Sequence, residues 1–185
     1  MESVGRSFES LLERHEILRT TIVTIDGEPR QQVHRSEGYG FEVEYEDLRS
    51  FPDREKIAGQ VISTRSSELF DLEKGPLFRC ILLQMEAERT LFLLVLHHII
   101  ADGWSIEVFF NDLIKLYTAY EKGEENPLQP LRIQYKDYAA WTNGELSGEQ
   151  SNIHRDYWLN QFKEKIDPIR LPFYQAEREP RNGSN

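Results

Sequence analysis

The sequence is poor in cysteine, with Cys80 as the only one among 185 residues. A single cysteine cannot form an internal disulfide, which excludes disulfide-stapled secreted domains and is typical of a reducing, cytoplasmic setting. Cys80 lies within an apolar run, so we expect it to be a small buried hydrophobic residue. The start of the chain has no signal-peptide pattern, and no apolar stretch is long enough to cross a membrane. No membrane partner is therefore predicted.

Basic residues are also scarce. Lysine and arginine together number 22 against 32 acidic residues, which gives a net charge of −10. Without a cluster of basic residues, this balance argues against nucleic acid as a partner. The hydrophobic share of 39% and charged share of 29% are ordinary for a globular protein and exclude general disorder. The length suits a domain with a proper core.

The most informative stretch runs from Leu91 to Ser105, where an apolar run ends in His97 and His98. The run predicts a buried strand. If that strand reached His98, the two imidazoles would point to opposite faces of the sheet, which counts against a metal held by both. No metal site is predicted. We expect one histidine to face a cavity and the other to be held inside, although a hydrogen-bonded core histidine remains an alternative for either.

A helix is predicted directly after this strand. Apolar residues recur at three- and four-residue steps from Trp104 to Lys122, which is typical of a helix with one buried face. Asp102 or Ser105 can cap its start, and Gly103 allows a close backbone approach or an unusual dihedral angle. Asp102 is therefore either a helix cap or a buried carboxylate that pairs with an arginine.

The remaining patterns predict alternating helices and strands. The Asp26-Gly27 pair predicts a hairpin turn. Helices are predicted at 7–18, 53–69, 133–145 and 152–166, and strands at 20–25, 30–34, 41–45, 77–85 and from 90.

Four segments resemble motifs of one family. Residues His97 to Gly103 match the HHxxxDG motif of the condensation domains of nonribosomal peptide synthetases, which also occurs in relatives with the chloramphenicol acetyltransferase fold. Arg14 to Thr20 match the RHExLRT motif, and Tyr135 to Trp141 are similar to YxDYAxW. Tyr157-Trp158 match the YW pair that follows. The motifs occur in the family's order, so the chain resembles the amino-terminal half of a condensation domain.

The resemblance implies an α/β fold, an α+β two-layer sandwich that forms the chloramphenicol acetyltransferase-like half of a condensation domain. Residues 1–170 would be the amino-terminal subdomain, and residues 171–185, which begin with Leu171-Pro172, a linker or tail. The family's opening SxAQxRLW-like motif is not found ahead of Ser7, and the motifs of the second half are missing. We therefore expect a fragment that is inactive alone, because half a tunnel holds a substrate poorly.

The resemblance also implies site residues. His98 would act as a base or position the attacking amine, and the Gly103 backbone N–H would contact the oxyanion. Structural support would come from His97, Asp102, Arg19 and Trp104. We hypothesise that Arg19 pairs with Asp102.

The implied reaction is peptide-bond formation in antibiotic-type secondary metabolism. The amino group of an acceptor aminoacyl thioester attacks the thioester of a donor. The expected partners are donor and acceptor peptidyl carrier proteins, the carboxy-terminal half of the domain, and an adjacent adenylation domain. No cofactor would be tightly bound to this chain, because the carriers bring the 4'-phosphopantetheine.

Three other functions remain open. An epimerisation domain typically has RHDxLR, whereas Arg14-His15-Glu16, together with the residues from Asp102 to Ser105, resembles the type that joins two L-residues. A coenzyme A-dependent acyltransferase of the same fold could complete its site by oligomerisation. A non-catalytic carrier-docking fragment would keep a vestigial histidine.

Overall fold

The computed structural model describes residues 2–164, apart from the side chains of residues 149 and 150. The helices are α1 (Glu2–Arg14), α2 (Arg54–Ser67), α3 (Gly103–Glu121), α4 (Tyr135–Leu146) and α5 (Glu149–Gln161), with a short 3-10 helix at Glu16–Arg19. The strands are β1 (Thr20–Ile25), β2 (Glu28–Val33), β3 (Val43–Asp47), β4 (Phe78–Glu86) and β5 (Arg89–Leu96). The predicted linker at 171–185 lies outside the described residues.

The elements occur in the predicted order, and their bounds differ most for α1 and α5. Strand β1 has its predicted bounds. Helix α1 is already formed at Glu2 and ends at Arg14, because the chain changes there to the 3-10 helix. Helix α5 runs three residues ahead of its predicted start and ends at Gln161. Strand β5 ends at Leu96 and does not reach His98.

The chain divides into two compact units, Met1–Ala140 and Trp141–Asn185. None of the helices among the described residues has the length and hydropathy needed to span a bilayer. The histidine motif and the RHExLRT segment both belong to the first unit.

Strand β4 is the centre of a mixed three-stranded sheet, with β3 parallel to it on one side and β5 antiparallel on the other. Its side chains alternate between two apolar clusters. Phe78 and Cys80 pack with α1 and α3, whereas Ile81 and Leu83 pack with Ala58 of α2. The α/β class is confirmed, and α2 adds a further layer on the second face of the sheet.

Phe8 of α1 lies at the centre of the larger cluster. Its ring centroid is 5.3 Å from that of Phe41, 6.4 Å from that of Phe78 and 5.9 Å from that of Phe109. Cys80 is fully buried in the same cluster, as predicted, and desolvation raises the pKa of its thiol to about 12. This packing fixes α1 and α3 on one face of the sheet.

The β1–β2 hairpin forms a separate two-stranded sheet. Asp26 and Gly27 have φ angles of 53° and 79°, so both central residues adopt the left-handed conformation that a type I′ turn requires. Arg19 joins this hairpin to α1: its Nε donates to the Leu12 carbonyl at 2.9 Å, and its Nη1 donates to the His34 carbonyl. The RHExLRT segment is thereby held beside the end of α1.

Candidate functional site

His97 and His98 follow the last residue of β5. The His97 backbone N–H donates to the Leu77 carbonyl at 2.9 Å, and the Ile99 N–H donates to His97 Nδ1 at 3.1 Å. The His97 ring is half-buried and meets Phe70 edge-on, with centroids 6.0 Å apart. His98 is exposed and lines a cavity. The turn after β5, and not the alternation of side chains along a strand, therefore packs His97 partly into the protein and places His98 on the cavity wall.

Asp102 is the N-cap of α3. Its Oδ1 accepts hydrogen bonds from Ser105 N at 2.8 Å and from Ser105 Oγ at 2.6 Å. These bonds stabilise the ionised form and hold the pKa of Asp102 below its ordinary value. The interpretation of Asp102 as a helix cap is confirmed. Asp102 is also exposed, which rules out the alternative of a buried carboxylate.

The hypothesis that Arg19 pairs with Asp102 is wrong. The Arg19 guanidinium donates to the backbone carbonyls of Leu12 and His34, and its Nη2 lies 3.6 Å from Glu16 Oε1. Asp102 is satisfied locally by the first turn of α3. Arg19 and Asp102 therefore each have hydrogen-bond or ion-pair partners near their own elements, and they do not pair with each other.

Gly103 is the first residue of α3, and its conformation is ordinary. Its φ is not positive, and a Cβ placed on it would have no neighbour within 4 Å. The structure thus shows neither the unusual dihedral angle nor the close approach that the sequence suggested. Among the hydrogen bonds described for residues 2–164, none uses the Gly103 N–H. Gly103 does not line the cavity, but Asp102 and Trp104 on either side of it do.

The cavity has a volume of about 430 Å³ and lies entirely within the first unit. Its wall consists of three stretches of chain, around residues 15–18, 96–109 and 131–135. Most of the lining is apolar, and Trp104 lies on it with 82% of its surface exposed. The polar side chains on the wall are His15, His98, Asp102, Ser105 and Gln134, together with the Tyr135 hydroxyl and the Trp104 indole N–H. An apolar cavity with a few convergent polar groups is the usual form of a small-molecule site.

A buried carboxylate does pair with the RHExLRT segment, but it is Asp112 of α3. Asp112 is 7% exposed, and its Oδ2 accepts from Arg14 Nε at 2.8 Å and lies 2.9 Å from His15 Nε2. The sequence patterns did not single out Asp112. The available signal was its place on the apolar face of α3, three residues after Phe109 and next to Leu113, where a lone acid needs a partner.

In the part of the chain from residue 2 to 164, no group of three or more histidine, cysteine, aspartate or glutamate side chains could hold a metal ion. The hydrogen-bonding groups at the site include an exposed imidazole, a helix N-terminus and a second histidine held by a buried carboxylate.

The comparisons with known proteins cover most or all of the chain. A family model described as "Condensation domain" matches residues 1–185. Malpinin synthetase of Mortierella alpina is 40% identical over 152 residues, which cover 82% of this chain and 2% of the synthetase. Bacitracin synthase 3 of Bacillus licheniformis is 37% identical over 166 residues, with 90% of this chain and 2% of the synthase covered.

Among solved structures, the X-domain from teicoplanin biosynthesis, in complex with OxyB, superimposes with a TM-score of 0.78 at 28% identity. The match covers 95% of this chain and 38% of the solved chain. This chain therefore spans a small fraction of the curated relatives' length and well under half of the similar structure.

Proposed function

The chain belongs to the condensation-domain family, and on that premise we propose that it provides the histidine-bearing wall of a site that forms peptide bonds. The observation that supports this most directly is the position of His98, exposed on a largely apolar cavity beside the start of α3. An imidazole in this position can reach a substrate atom without first breaking a hydrogen bond to the described part of the fold.

In the proposed reaction, the α-amino nitrogen of the acceptor attacks the thioester carbonyl of the donor. A C–N bond forms, the C–S bond breaks, and the sulfur leaves as a thiol after the amine has lost a proton. His98 either takes that proton or holds the nitrogen in position for attack. Either role raises the rate only if His98 lies within hydrogen-bonding distance of the amine, about 3 Å.

The negative charge that develops on the carbonyl oxygen needs a donor, and we assign this role to the Gly103 N–H. It lies at the N-terminus of α3, where the helix dipole favours negative charge. Asp102, by capping α3 through Ser105, would hold this segment in place. His97, Trp104 and Arg19 would support the site without touching the reacting atoms. Trp104 also forms part of the cavity wall.

The substrates would arrive on 4'-phosphopantetheine arms of donor and acceptor carrier proteins, loaded by an adenylation domain. The carboxy-terminal half of the domain would close the cavity, and we expect the chain alone to be inactive. The free, buried Cys80 supports a cytoplasmic setting for this reaction. The Arg14-His15-Glu16 segment supports assignment to the type that joins two L-residues.

The test is mass-spectrometric detection of dipeptidyl carrier product from loaded donor and acceptor carriers. It is run with this chain alone and with a separately produced second half. We expect product only from the mixture, and a loss of at least about 100-fold with His98→Ala. His154→Ala is the matched control, because His154 is exposed on α5 and does not line the cavity.

Product from the chain alone would contradict the half-site proposal, and full activity of His98→Ala in the mixture would contradict the role of His98. The rate measured against pH separates the two possible roles, since loss of a general base removes the acidic limb of the profile. The chirality of the product tests the subtype: an epimerase would invert one α-carbon without forming a bond.

A second candidate is a non-catalytic docking module. It is favoured by one observation: the similar teicoplanin X-domain was solved in complex with another protein, OxyB. This alternative predicts that carriers bind this chain with the same affinity before and after His98→Ala, and that no product forms after complementation.

A further inference from the structure

His15 is the second histidine on the cavity wall, and its surroundings are more constrained than those of His98. The Asp112 carboxylate is buried beneath it, and the same oxygen that lies 2.9 Å from His15 Nε2 also accepts from Arg14 Nε. Arg14 additionally donates to the Gln129 carbonyl. The carboxylate is thus balanced by a permanent cation, so it does not need a second charge from His15.

The hydrogen bond to Asp112 sets the tautomer of His15. A carboxylate only accepts, so His15 Nε2 must carry the proton that is donated. Burial lowers the pKa of His15 below its ordinary value of 6.5, and this effect exceeds the opposing influence of Asp112. The ring is therefore neutral at pH 7, and Nδ1 keeps a lone pair. Among the hydrogen bonds described for residues 2–164, none involves His15 Nδ1.

The backbone on both sides of His15 is also fixed. Gln134 Nε2 donates to the Arg14 carbonyl at 2.9 Å, and Gln134 Oε1 accepts from the Glu16 N–H at 3.1 Å. One glutamine side chain thereby clamps the peptide units that flank the histidine. A side chain with a fixed tautomer on a clamped backbone loses little conformational entropy when it binds a ligand.

We propose that His15 is a second substrate-binding group of this cavity, whose Nδ1 accepts a hydrogen bond from a substrate N–H, with Asp112 as its positioning residue. The N–H donor belongs either to the amino group of the acceptor or to an amide of its pantetheine arm. This inference rests on the proposed function, since it takes the substrate to be a carrier-type aminoacyl thioester.

A purely structural role for the Arg14–Asp112–His15 cluster would be to fasten α1 to α3. His15→Gln separates the two roles. The glutamine amide can still donate to Asp112 from a position close to that of Nε2, whereas it has no acceptor at the position of Nδ1. His34→Gln is the matched control, because His34 bonds to Thr21 Oγ1 and does not line the cavity.

The kinetic test uses this chain assembled with the remainder of the domain and compares two acceptors. One is an aminoacyl-pantetheine, and the other is an aminoacyl ethyl thioester, which has the amine but no amide. We expect His15→Gln to raise KM about tenfold and to leave kcat little changed, because the variant loses one hydrogen bond to the bound substrate. A rise in KM with both acceptors assigns the hydrogen bond to the amine. A rise in KM with the aminoacyl-pantetheine alone assigns it to the amide. No rise with either overturns the proposal.

A binding measurement keeps this test independent of turnover. With ¹⁵N-histidine labelling, we expect His15 Nδ1 to shift when aminoacyl-pantetheine is added to the assembled domain, and Asp112→Asn to change the tautomer ratio of the ring. If no product forms but Nδ1 still shifts, the proposed function fails and the binding role of His15 stands. If product forms while Nδ1 does not shift, the binding role of His15 is refuted.

Discussion

Two aspartates at the start and within α3 differ in their surroundings. Asp102 is exposed and is satisfied by Ser105 within the first turn of its own helix. Asp112 is buried and depends on Arg14 and His15, which are about a hundred residues earlier in the chain. Removing the partners of a buried carboxylate leaves a desolvated charge, whereas an exposed cap can turn to water. Of the two, Asp112 is therefore the one that links separate parts of the fold.

His15 gives a prediction about pH. Its pKa is below 6.5 in the folded chain, chiefly because of burial, with Asp112 raising it and Arg14 lowering it. Since the unfolded chain takes up the proton first, the contribution of neutral His15 to stability is complete above pH 6.5 and is lost as the pH falls toward the folded pKa. Urea unfolding of the chain across this range should show a decrease in the unfolding free energy with falling pH.

The variant His15→Gln should lose that component of the pH dependence, while His154→Gln should keep it. His154 is exposed on α5, so its environment changes little on unfolding. An unfolding free energy that rises as the pH is lowered from 7 to about 5.5, and does so equally in wild type and in His15→Gln, would contradict this account of His15.

At the scale of secondary-structure elements, the bounds of a helix or strand follow local chemistry where a particular residue determines them. Asp26 and Gly27 form the turn between β1 and β2 because both adopt positive φ angles. Asp102 starts α3 because its carboxylate satisfies the Ser105 N–H. Helix α1 lacks such a signal at its start, and there the predicted and observed bounds differ by five residues.

The two glycines Gly27 and Gly59 allow a matched test of this local control. Neither would have a neighbour within 4 Å of an added Cβ, so Gly→Ala changes only the backbone energetics. Gly27 has φ of +79°, and we expect Gly27→Ala to destabilise the chain by about 1 kcal/mol. Gly59 lies within α2, and Gly59→Ala should stabilise the chain by about 0.5 to 1 kcal/mol.

Both variants are measured by urea unfolding under the same conditions. The same Gly→Ala change should lower the unfolding free energy at Gly27 and raise it at Gly59. Equal shifts of the midpoint would mean that the turn conformation is not needed in the folded hairpin.

At the scale of the whole molecule, large apolar side chains remain exposed around the cavity. Trp104 is 82% exposed and Ile133 is 70% exposed, and both line its wall. Contiguous exposed apolar surface usually marks a site where something binds. This agrees with the proposal that the rest of the domain covers the cavity.

We therefore expect Trp104 emission to shift to shorter wavelength when the second half is added, because its indole leaves water. Trp104→Phe should remove the shift and identify its source. Trp104→Asp should weaken association of the halves by about tenfold or more, as measured by titration calorimetry. Lys122→Gln, outside the cavity wall, lowers the net charge by the same single unit and is the control for the change in charge. Unchanged emission on complementation would contradict burial of Trp104.

The sequence by itself determined the order of elements, the β1–β2 turn, the cap of α3, and the family through its motifs. It also predicted β4 as an apolar strand, and the structure buries Phe78 and Ile81 of that strand in different clusters. These features depend on residues that are close along the chain, where periodicity and side-chain chemistry determine the outcome.

Only the tertiary structure decided which charged groups meet. Arg19 and Asp102 both had the chemistry to pair, yet the packing of α1 against α3 brings Arg14 and His15 to Asp112 instead. The cavity likewise joins stretches near residues 15, 98 and 133 that no local pattern links. The physical reason is that long-range contacts depend on how helices pack on the sheet, and this packing is set by the shape of the whole core.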